Sequence, residues 1–290
     1  MAEPELLASS WTTAGAVVPH SSDERSPEAF IDRVEAAAAA GFVGMGFGHA
    51  DIVEIRDTIG FREMKAVLRQ FGMKYVELEM LMDWYERGAA RERAEKARNE
   101  LLEAAAELGA MHVKAGCDYS GGHWPFKALA RDFKDLCQRA ADANTMIALE
   151  PQPMSSLKTP REAMDLVDAA DQPAGGVIID IWHVERGGVP LETLRTLPIE
   201  KIIGIELNDA DQEVSGTLLE DTINHRKLCG EGSFDLRGFI ETLQSCGYKR
   251  AWGIEILSIP FRKLAMKEAV QRAFDTAASQ FKAIVPGVTA

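Results

Sequence analysis

The chain has 290 residues and a formal net charge of −13 at pH 7, and this charge excludes a typical nucleic-acid binder. Neutralising a phosphate backbone needs clustered lysines and arginines, and here the basic runs are interleaved with acids. No run approaches the roughly 18 apolar residues that span a bilayer. The first residues, MAEPELLASS, lack the basic start and apolar segment of a secretory signal. We therefore predict a cytoplasmic protein that binds neither nucleic acid nor membranes.

A helix, a glycine and an apolar strand form a repeating unit along the chain. Alanine-rich or amphipathic stretches end at Gly41, Gly72, Gly109 and Gly247, and an apolar run follows each glycine at once. A glycine just past a helix end supplies the left-handed backbone conformation that closes the helix. Each of these positions therefore predicts a change from helix to strand.

The predicted elements alternate in chain order. The strands are LLASSW near the N-terminus, the four runs that follow the glycines, and apolar runs at 145–150, 175–180 and 201–207. The predicted helices cover 27–40, 61–71, 87–108, 126–142, 159–170, 234–246 and 262–284. Eight strands alternating with helices over roughly 250 residues are the size and rhythm of a (β/α)8 barrel.

The predicted fold class is therefore α/β, with a single (β/α)8 TIM barrel over residues 1–290 and no domain boundary. A doubly wound open sheet is the competing fold. That fold usually carries a glycine-rich or Walker nucleotide motif after its first strand, and we find no such motif.

Four predicted strands end in a carboxylate, at Glu150, Asp180, Glu206 and Glu255. A buried, unpaired carboxylate costs several kcal/mol or takes up a proton, so four of them together indicate a shared cation. The C-terminal strand ends of a barrel hold its active site, and side chains along a strand alternate between two faces. We therefore expect all four acids on the inward face at this end of the barrel.

Alternation also predicts the neighbours of each acid. In the seventh strand, Glu206 shares the inward face with Gly204, while Ile203, Ile205 and Leu207 are expected to face the helices.

The chain resembles the xylose isomerase-like TIM barrel superfamily, in particular its sugar phosphate isomerase and epimerase branch. The motifs that carry this resemblance are IALEP at 147–151, the DxxH that runs from Asp180 to His183, ELNDA at 206–210 where the family often has HLKD, and CGEGSFDLRGFIETLQSCGY at 229–248. The resemblance extends over nearly the whole chain, from SPEAFIDRVEAAAAAGFVGMGF at 26–47 to the last strand.

Members of this family typically hold one divalent metal ion with a glutamate, an aspartate, a histidine and a second glutamate. Carried over by position, the resemblance implies as metal ligands Glu150, Asp180, Glu206 and Glu255. It also implies that Glu150 and Glu255 form the catalytic acid–base pair. His183 of the DxxH motif and Arg226, after the seventh strand, are the implied substrate contacts.

Glu206 departs from the family pattern, because many relatives have a neutral imidazole at this position. Four carboxylate ligands favour a hard ion, so we expect Mn2+ or Mg2+. They also leave a net charge of about −2 around a divalent ion, so we expect either a nearby cation or one protonated acid, and Lys114 and Arg226 are the cations available. Two alternatives stay open: Glu206 acts as an acid or base instead of a ligand, or Asn208 takes its place.

Three further residues are candidate substrate-binding groups. His49 follows the second strand and is placed to bond a sugar hydroxyl, with a loop or capping histidine as the alternative. Glu79 lies toward the functional end of the third strand, on the same face as Glu77. Lys114, in HVKAG of the fourth strand, completes the set, whereas His112 at the start of that strand is predicted to be structural.

The predicted function is a metal-dependent sugar isomerase or epimerase that abstracts a proton next to a carbonyl and proceeds through a stabilised enediolate. The alternative is a dehydratase or lyase that acts on a keto-sugar, cyclitol or keto-glycoside through the same enolate. A nuclease like endonuclease IV is disfavoured by the charge and by the few histidines at strand ends. A non-enzymatic relative without metal stays open. The expected partner is a small carbohydrate or polyol, and the resemblance adds a homo-oligomer as a candidate assembly.

Overall fold

The computed structural model describes residues 3–119 and 125–282, in which eight parallel strands close into a barrel. The strands are β1 Leu6–Ala8, β2 Gly44–Gly48, β3 Tyr75–Leu81, β4 His112–Ala115, β5 Met146–Leu149, β6 Gly175–Asp180, β7 Ile202–Leu207 and β8 Trp252–Ile254. Each strand pairs with the next in sequence, and β1 pairs with β8. This closure confirms the predicted single (β/α)8 TIM barrel and excludes the open sheet. The extent of the domain, residues 1–290, stays a prediction.

Helices surround the barrel and also occupy several of the loops. They are α1 Ser10–Thr13, α2 Phe30–Ala40, α3 His49–Thr58, α4 Gly60–Gln70, α5 Gly88–Leu108, α6 Phe126–Asp142, α7 Pro160–Ala170, α8 Ile181–Arg186, α9 Leu191–Leu194, α10 Leu218–Asn224, α11 Leu236–Ser245 and α12 Met266–Lys282. Short 3₁₀ helices cover Ile199–Lys201 and Phe261–Lys263. All seven predicted helices are present, and the predicted end of the last one, at residue 284, lies outside the described residues.

Several short elements differ from the prediction. The N-terminal strand stops at Ala8, and Ser10 and Trp11 of the predicted LLASSW strand already belong to helix α1. Helices α3 and α8 start directly after β2 and β6, without an intervening loop. No helix within the described residues is long and apolar enough to cross a membrane.

The glycines after helix ends act as predicted. Gly41 closes α2 with φ of 114°, and its N–H donates to the carbonyl oxygens of Ala37 and Ala38. Gly109 closes α5 with φ of 74° and donates to the carbonyl oxygen of Ala105. Residues with a Cβ rarely adopt this left-handed backbone, so these glycines fix where each helix gives way to the next strand.

The main hydrophobic core lies between the barrel and its helices, and a smaller cluster fills the barrel itself. Ala148, Ile178 and Ile203 form that inner cluster, with Met146 packed against it. The expectation that Ile203 faces the helices is therefore wrong. The pairing of β6 with β7 shifts register between Val177 and Ile178, and this irregularity breaks the strict alternation that the prediction assumed.

Candidate active site

The four acids at the strand ends come together at the C-terminal end of the barrel. Carboxylate oxygens of Asp180, Glu206 and Glu255 lie within 4.8 Å of one another. Glu150, Asp180 and His183 form a second group with ligand atoms within the same distance of one another. Every one of these side chains is buried. Asp180 belongs to both groups, so the structure gathers the predicted ligand set around this residue.

Asp180 is positioned by the turn from β6 into α8. Its Oδ1 accepts hydrogen bonds from the backbone N–H of Trp182 at 2.7 Å and from Nδ2 of Asn208 at 2.9 Å. Asp180 thereby caps α8, and the first turn of this helix carries His183 back toward the barrel. His183 Nε2 lies 3.3 Å from Oε1 of Glu150 at the end of β5.

Arg226 joins two of the acids from the segment between α10 and α11. Its Nη1 lies 2.6 Å from Asp180 Oδ2 and 2.9 Å from Glu255 Oε2. Its Nε and Nη2 donate to the hydroxyl of Thr222 at 3.2 and 2.8 Å, which fixes the guanidinium plane. Burial opposes ionisation of Asp180, but Arg226 and then His183 outweigh it and lower the pKa of this carboxyl.

Lys114 lies at the centre of a second set of contacts and is fully buried. Its ammonium bonds to Oε1 of Glu206 and lies 3.0 Å from Glu79 Oε2 and 3.3 Å from Glu255 Oε1. Burial alone lowers the pKa of a lysine, but Glu206 and the other surrounding carboxylates raise the pKa of Lys114 well above its usual value. Lys114 is therefore a buried cation that contacts acids, not the cavity.

Glu79 and Glu77, two residues apart on β3, have opposite electrostatic environments. Glu79 accepts a hydrogen bond from the backbone N–H of Ser10 at 3.0 Å. Burial raises the pKa of Glu79 to about 8, and Lys114 offsets this rise only in part. Glu77 lies 3.2 Å from Nε2 of His112, and Lys114 and His112 overcome burial to lower its pKa to about 2. His112 contacts this acid inside the barrel, in line with its predicted structural role.

A cavity of about 240 Å³ opens above the cluster of acids. Its polar side includes Glu79, Glu150, His183, Arg226 and Glu255. Apolar side chains cover much of the rest: Trp11, Met80, Met82, Met154, Ile223 and Leu257. The cavity thus has a charged region next to the buried acids and an apolar wall beside it, an arrangement typical of small-molecule sites.

His49 and Gln152 also line this cavity. His49 is a predicted sugar contact. Its Nε2 lies 2.8 Å from Oε2 of Glu100 on α5, so this ring nitrogen already has a partner within the protein. Gln152, which sequence reasoning missed, donates from Nε2 to Glu150 Oε2 at 3.1 Å. Its position two residues past a strand-end acid is the signal that would have marked it.

The donor set fits a divalent cation. Lys114 and Arg226 are the two permanent cations that the described residues place at this site, and the buried carboxylates around them are more numerous. These carboxylates are Glu77, Glu79, Glu150, Asp180, Glu206 and Glu255. Burial and repulsion from Glu255 raise the pKa of Glu206 well above its usual value, as expected where negative charge is in excess. Glu206 Oε2, Asn208 Oδ1 and His183 Nδ1 have no hydrogen-bond partner among the residues described. These atoms remain available to a bound ion or substrate.

Comparison with known proteins identifies the family. Residues 34–276 match the family described as xylose isomerase-like TIM barrel. The chain therefore belongs to this family, as its strand order and motifs predicted.

Individual relatives divide between two reactions. A 3-dehydroshikimate dehydratase of Pseudomonas aeruginosa is 29% identical over 238 residues, which are 80% of this chain and 36% of that protein. An inosose isomerase of Bacillus velezensis is 25% identical over 152 residues, 52% of this chain and 53% of that protein. The match thus spans about a third to a half of the length of these relatives. The structure of the IOLI protein with a bound zinc atom shares the fold, with a TM-score of 0.82 and 18% identity over 98% of this chain and all of that one.

Proposed function

We propose that this chain is a divalent-metal-dependent enzyme that removes a proton next to a carbonyl group of a carbohydrate or polyol, and that it acts as an isomerase or epimerase. The observation that carries the proposal is the convergence of Glu150, Asp180, Glu206 and Glu255 beside one cavity. The relatives support it, since isomerisation of a hydroxyketone and dehydration of a β-hydroxyketone both begin with loss of the proton next to the carbonyl.

These four acids would hold the ion. All of their donor atoms are carboxylate oxygens, which favours Mn2+ or Mg2+ over a softer ion. When bound, such an ion would act as a Lewis acid that stabilises negative charge on the substrate's carbonyl oxygen. The zinc atom in the IOLI structure supports a divalent ion in this fold, whereas the preference for manganese or magnesium rests on the ligands of this chain.

Glu150 and Glu255 are the proposed proton carriers, because both line the cavity from strand ends. Their surroundings differ: Glu150 contacts His183 and Gln152, whereas Glu255 lies between the cations Arg226 and Lys114. We assign removal of the carbon-bound proton to Glu150. Return of a proton held by Glu255 to the opposite face of the same carbon epimerises it. Return to the neighbouring carbon, with the hydroxyl proton passing to the former carbonyl oxygen, isomerises the sugar.

His183 and Arg226 are the proposed substrate-orienting residues, since both line the cavity and both already contact the acids. Their donors would hold the substrate's carbonyl and hydroxyl oxygens in register with the proton carriers. Lys114 is less suited to this predicted role because the acids enclose its ammonium. A small carbohydrate or polyol as ligand, cytoplasmic placement and a homo-oligomeric assembly remain parts of the same proposal.

A dehydratase or lyase is the second candidate, and the match to a dehydratase over 80% of this chain favours it. The first step is the same proton removal by Glu150. In a dehydratase, the hydroxyl group on the β-carbon then accepts a proton from Glu255 and leaves as water, and a carbon–carbon double bond forms. The two candidates therefore share their residues. They differ in where the second proton goes: to carbon in the isomerase or epimerase, and in the dehydratase to the β-hydroxyl group, whose carbon–oxygen bond breaks.

Solvent deuterium exchange followed by NMR tests both candidates. Purified protein with Mn2+ is incubated in D2O with a panel of ketoses, inososes, keto-glycosides and 3-dehydroshikimate. We expect one substrate class to exchange a single carbon-bound proton for deuterium. An isomeric product would identify an isomerase or epimerase, and loss of water would identify a dehydratase. Glu150→Gln should abolish the exchange, whereas Asp51→Asn, which alters a buried acid paired with Arg33, should keep it. Equal exchange by wild type and Glu150→Gln would remove Glu150 from the mechanism.

A further inference from the structure

Glu206 differs from the other acids at the strand ends in how its two oxygens are used. Oε1 accepts from the ammonium of Lys114 and, at 2.9 Å, from the hydroxyl of Ser9 just after β1. Oε2 is buried and has no hydrogen-bond partner within residues 3–119 and 125–282. One oxygen of this carboxylate is therefore held by two hydrogen bonds, and the other accepts none from the described residues.

Charge adds a second, independent observation. Four carboxylates around a divalent ion leave an excess of two negative charges, which is unfavourable in a buried site. Arg226 contacts two of these carboxylates, Asp180 and Glu255. Lys114 contacts the third, Glu206, and reaches Glu255 as well. Each of the two buried cations thus offsets part of the negative charge on the proposed ligands.

We propose that Lys114 is a positioning residue for the metal site: together with Ser9 it holds Oε1 of Glu206, so that Oε2 is presented to the ion as a single, fixed oxygen ligand. The inference rests on the proposed function, because it needs a divalent ion among the strand-end acids. It assigns Lys114 a role in metal binding instead of the substrate contact that the sequence predicted.

Arg33 provides the contrast. It is also a fully buried cation, but its partners are Asp51 and the hydroxyl of Thr13, which lie outside the acid cluster. Replacement of Arg33 should destabilise the fold without acting on the metal. Lys114 differs because its ion-pair partners among the described residues include two proposed metal ligands, Glu206 and Glu255, beside the β3 acids Glu77 and Glu79.

The test is a set of Mn2+ titrations by isothermal calorimetry, with electron paramagnetic resonance to count free Mn2+. Glu206→Gln removes the carboxylate charge that lies between the Lys114 ammonium and the proposed ion, while Glu77, Glu79 and Glu255 still contact Lys114. We expect the Mn2+ affinity of this variant to fall by at least the roughly 10- to 100-fold seen when partners of metal ligands are changed, because Glu206 is itself a proposed ligand. Adding Lys114→Met to Glu206→Gln removes a positive charge that Glu206 no longer separates from the ion, and should recover most of the lost affinity. Adding Arg33→Met to Glu206→Gln should recover none of it.

The outcomes separate this inference from the proposed function. If wild-type protein binds no divalent ion, the proposed function fails. If wild type binds Mn2+ but the Lys114→Met and Glu206→Gln double variant binds no more tightly than Glu206→Gln alone, the pair is merely structural and the inference fails. Lys114→Met alone should weaken Mn2+ binding, so it should lower the melting temperature of the Mn2+-loaded protein more than that of the metal-free protein. An equal drop in both forms would also overturn the inference.

Discussion

Arg226→Met is expected to destabilise the metal-free protein severely. The guanidinium is buried and contacts Asp180 at 2.6 Å and Glu255 at 2.9 Å, so its removal leaves two buried carboxylates with less compensation. Removing one partner of a buried ion pair costs about 3–5 kcal/mol. At about 2–4 °C per kcal/mol for a large domain, this loss corresponds to a melting temperature lowered by roughly 6–20 °C.

Bound Mn2+ should offset much of this loss, because the ion supplies positive charge to the same two carboxylates. The assay is thermal unfolding by calorimetry, after dialysis against EDTA and again in saturating Mn2+. We expect the difference in melting temperature between wild type and Arg226→Met to be smaller when Mn2+ is present. Arg186→Met is the matched control, because Arg186 forms a similar buried pair with Asp221 at 2.8 Å that is separate from the acid cluster.

Two results would refute this reasoning. If metal-free Arg226→Met melts within about 2 °C of wild type, Arg226 does not compensate the acids. The second result concerns the difference in melting temperature between each variant and wild type. If Mn2+ leaves this difference unchanged for Arg226→Met, or reduces it equally for Arg186→Met, the ion does not bind among the carboxylates that Arg226 contacts.

Three further predictions concern stability and are tested by urea unfolding. Burial raises the pKa of Glu79 to about 8 from an ordinary value of 4.5, so between these pH values the folded chain keeps a proton that the unfolded chain has lost. The free energy of unfolding of the metal-free protein should therefore fall as pH rises from about 5 to 8. Glu79→Gln should make this free energy less dependent on pH. Asp209→Asn should cost at least about 1–3 kcal/mol, since this carboxylate accepts three backbone N–H groups from the 230–234 turn. Thr159→Ala, which breaks the capping box at the start of α7, should cost about 1 kcal/mol, and no change would contradict the cap.

The barrel could be predicted because the boundaries of its helices and strands are marked by local sequence. A glycine that closes a helix, as at Gly41 and Gly109, marks a boundary through its own backbone conformation, and the apolar run beside it marks the strand. The acids at the strand ends were equally visible, because topology alone brings the C-terminal ends of parallel strands together. The sequence therefore predicted that all four acids would lie at one end of the barrel: Glu150, Asp180, Glu206 and Glu255.

The remainder depends on contacts between distant strands. Ile203 points into the barrel because the register between β6 and β7 shifts, and no residue within β7 indicates such a shift. The sequence indicated that Lys114 is an available cation. It did not show that Lys114 pairs with Glu206, because this pairing depends on how β4 and β7 face each other across the barrel interior. Ser9 was not singled out, because its role exists only through this pairing.

The central claim is that the acids at the strand ends bind one divalent ion, and the most direct measurement is Mn2+ stoichiometry by calorimetry and elemental analysis. Asp180→Asn is the decisive variant: Asp180 belongs to both groups of ligand atoms, and asparagine can still cap α8. We predict one ion per chain for wild type and none for Asp180→Asn, with both proteins folded. A wild type that binds no ion, or an Asp180→Asn variant that binds as tightly as wild type, would contradict the account.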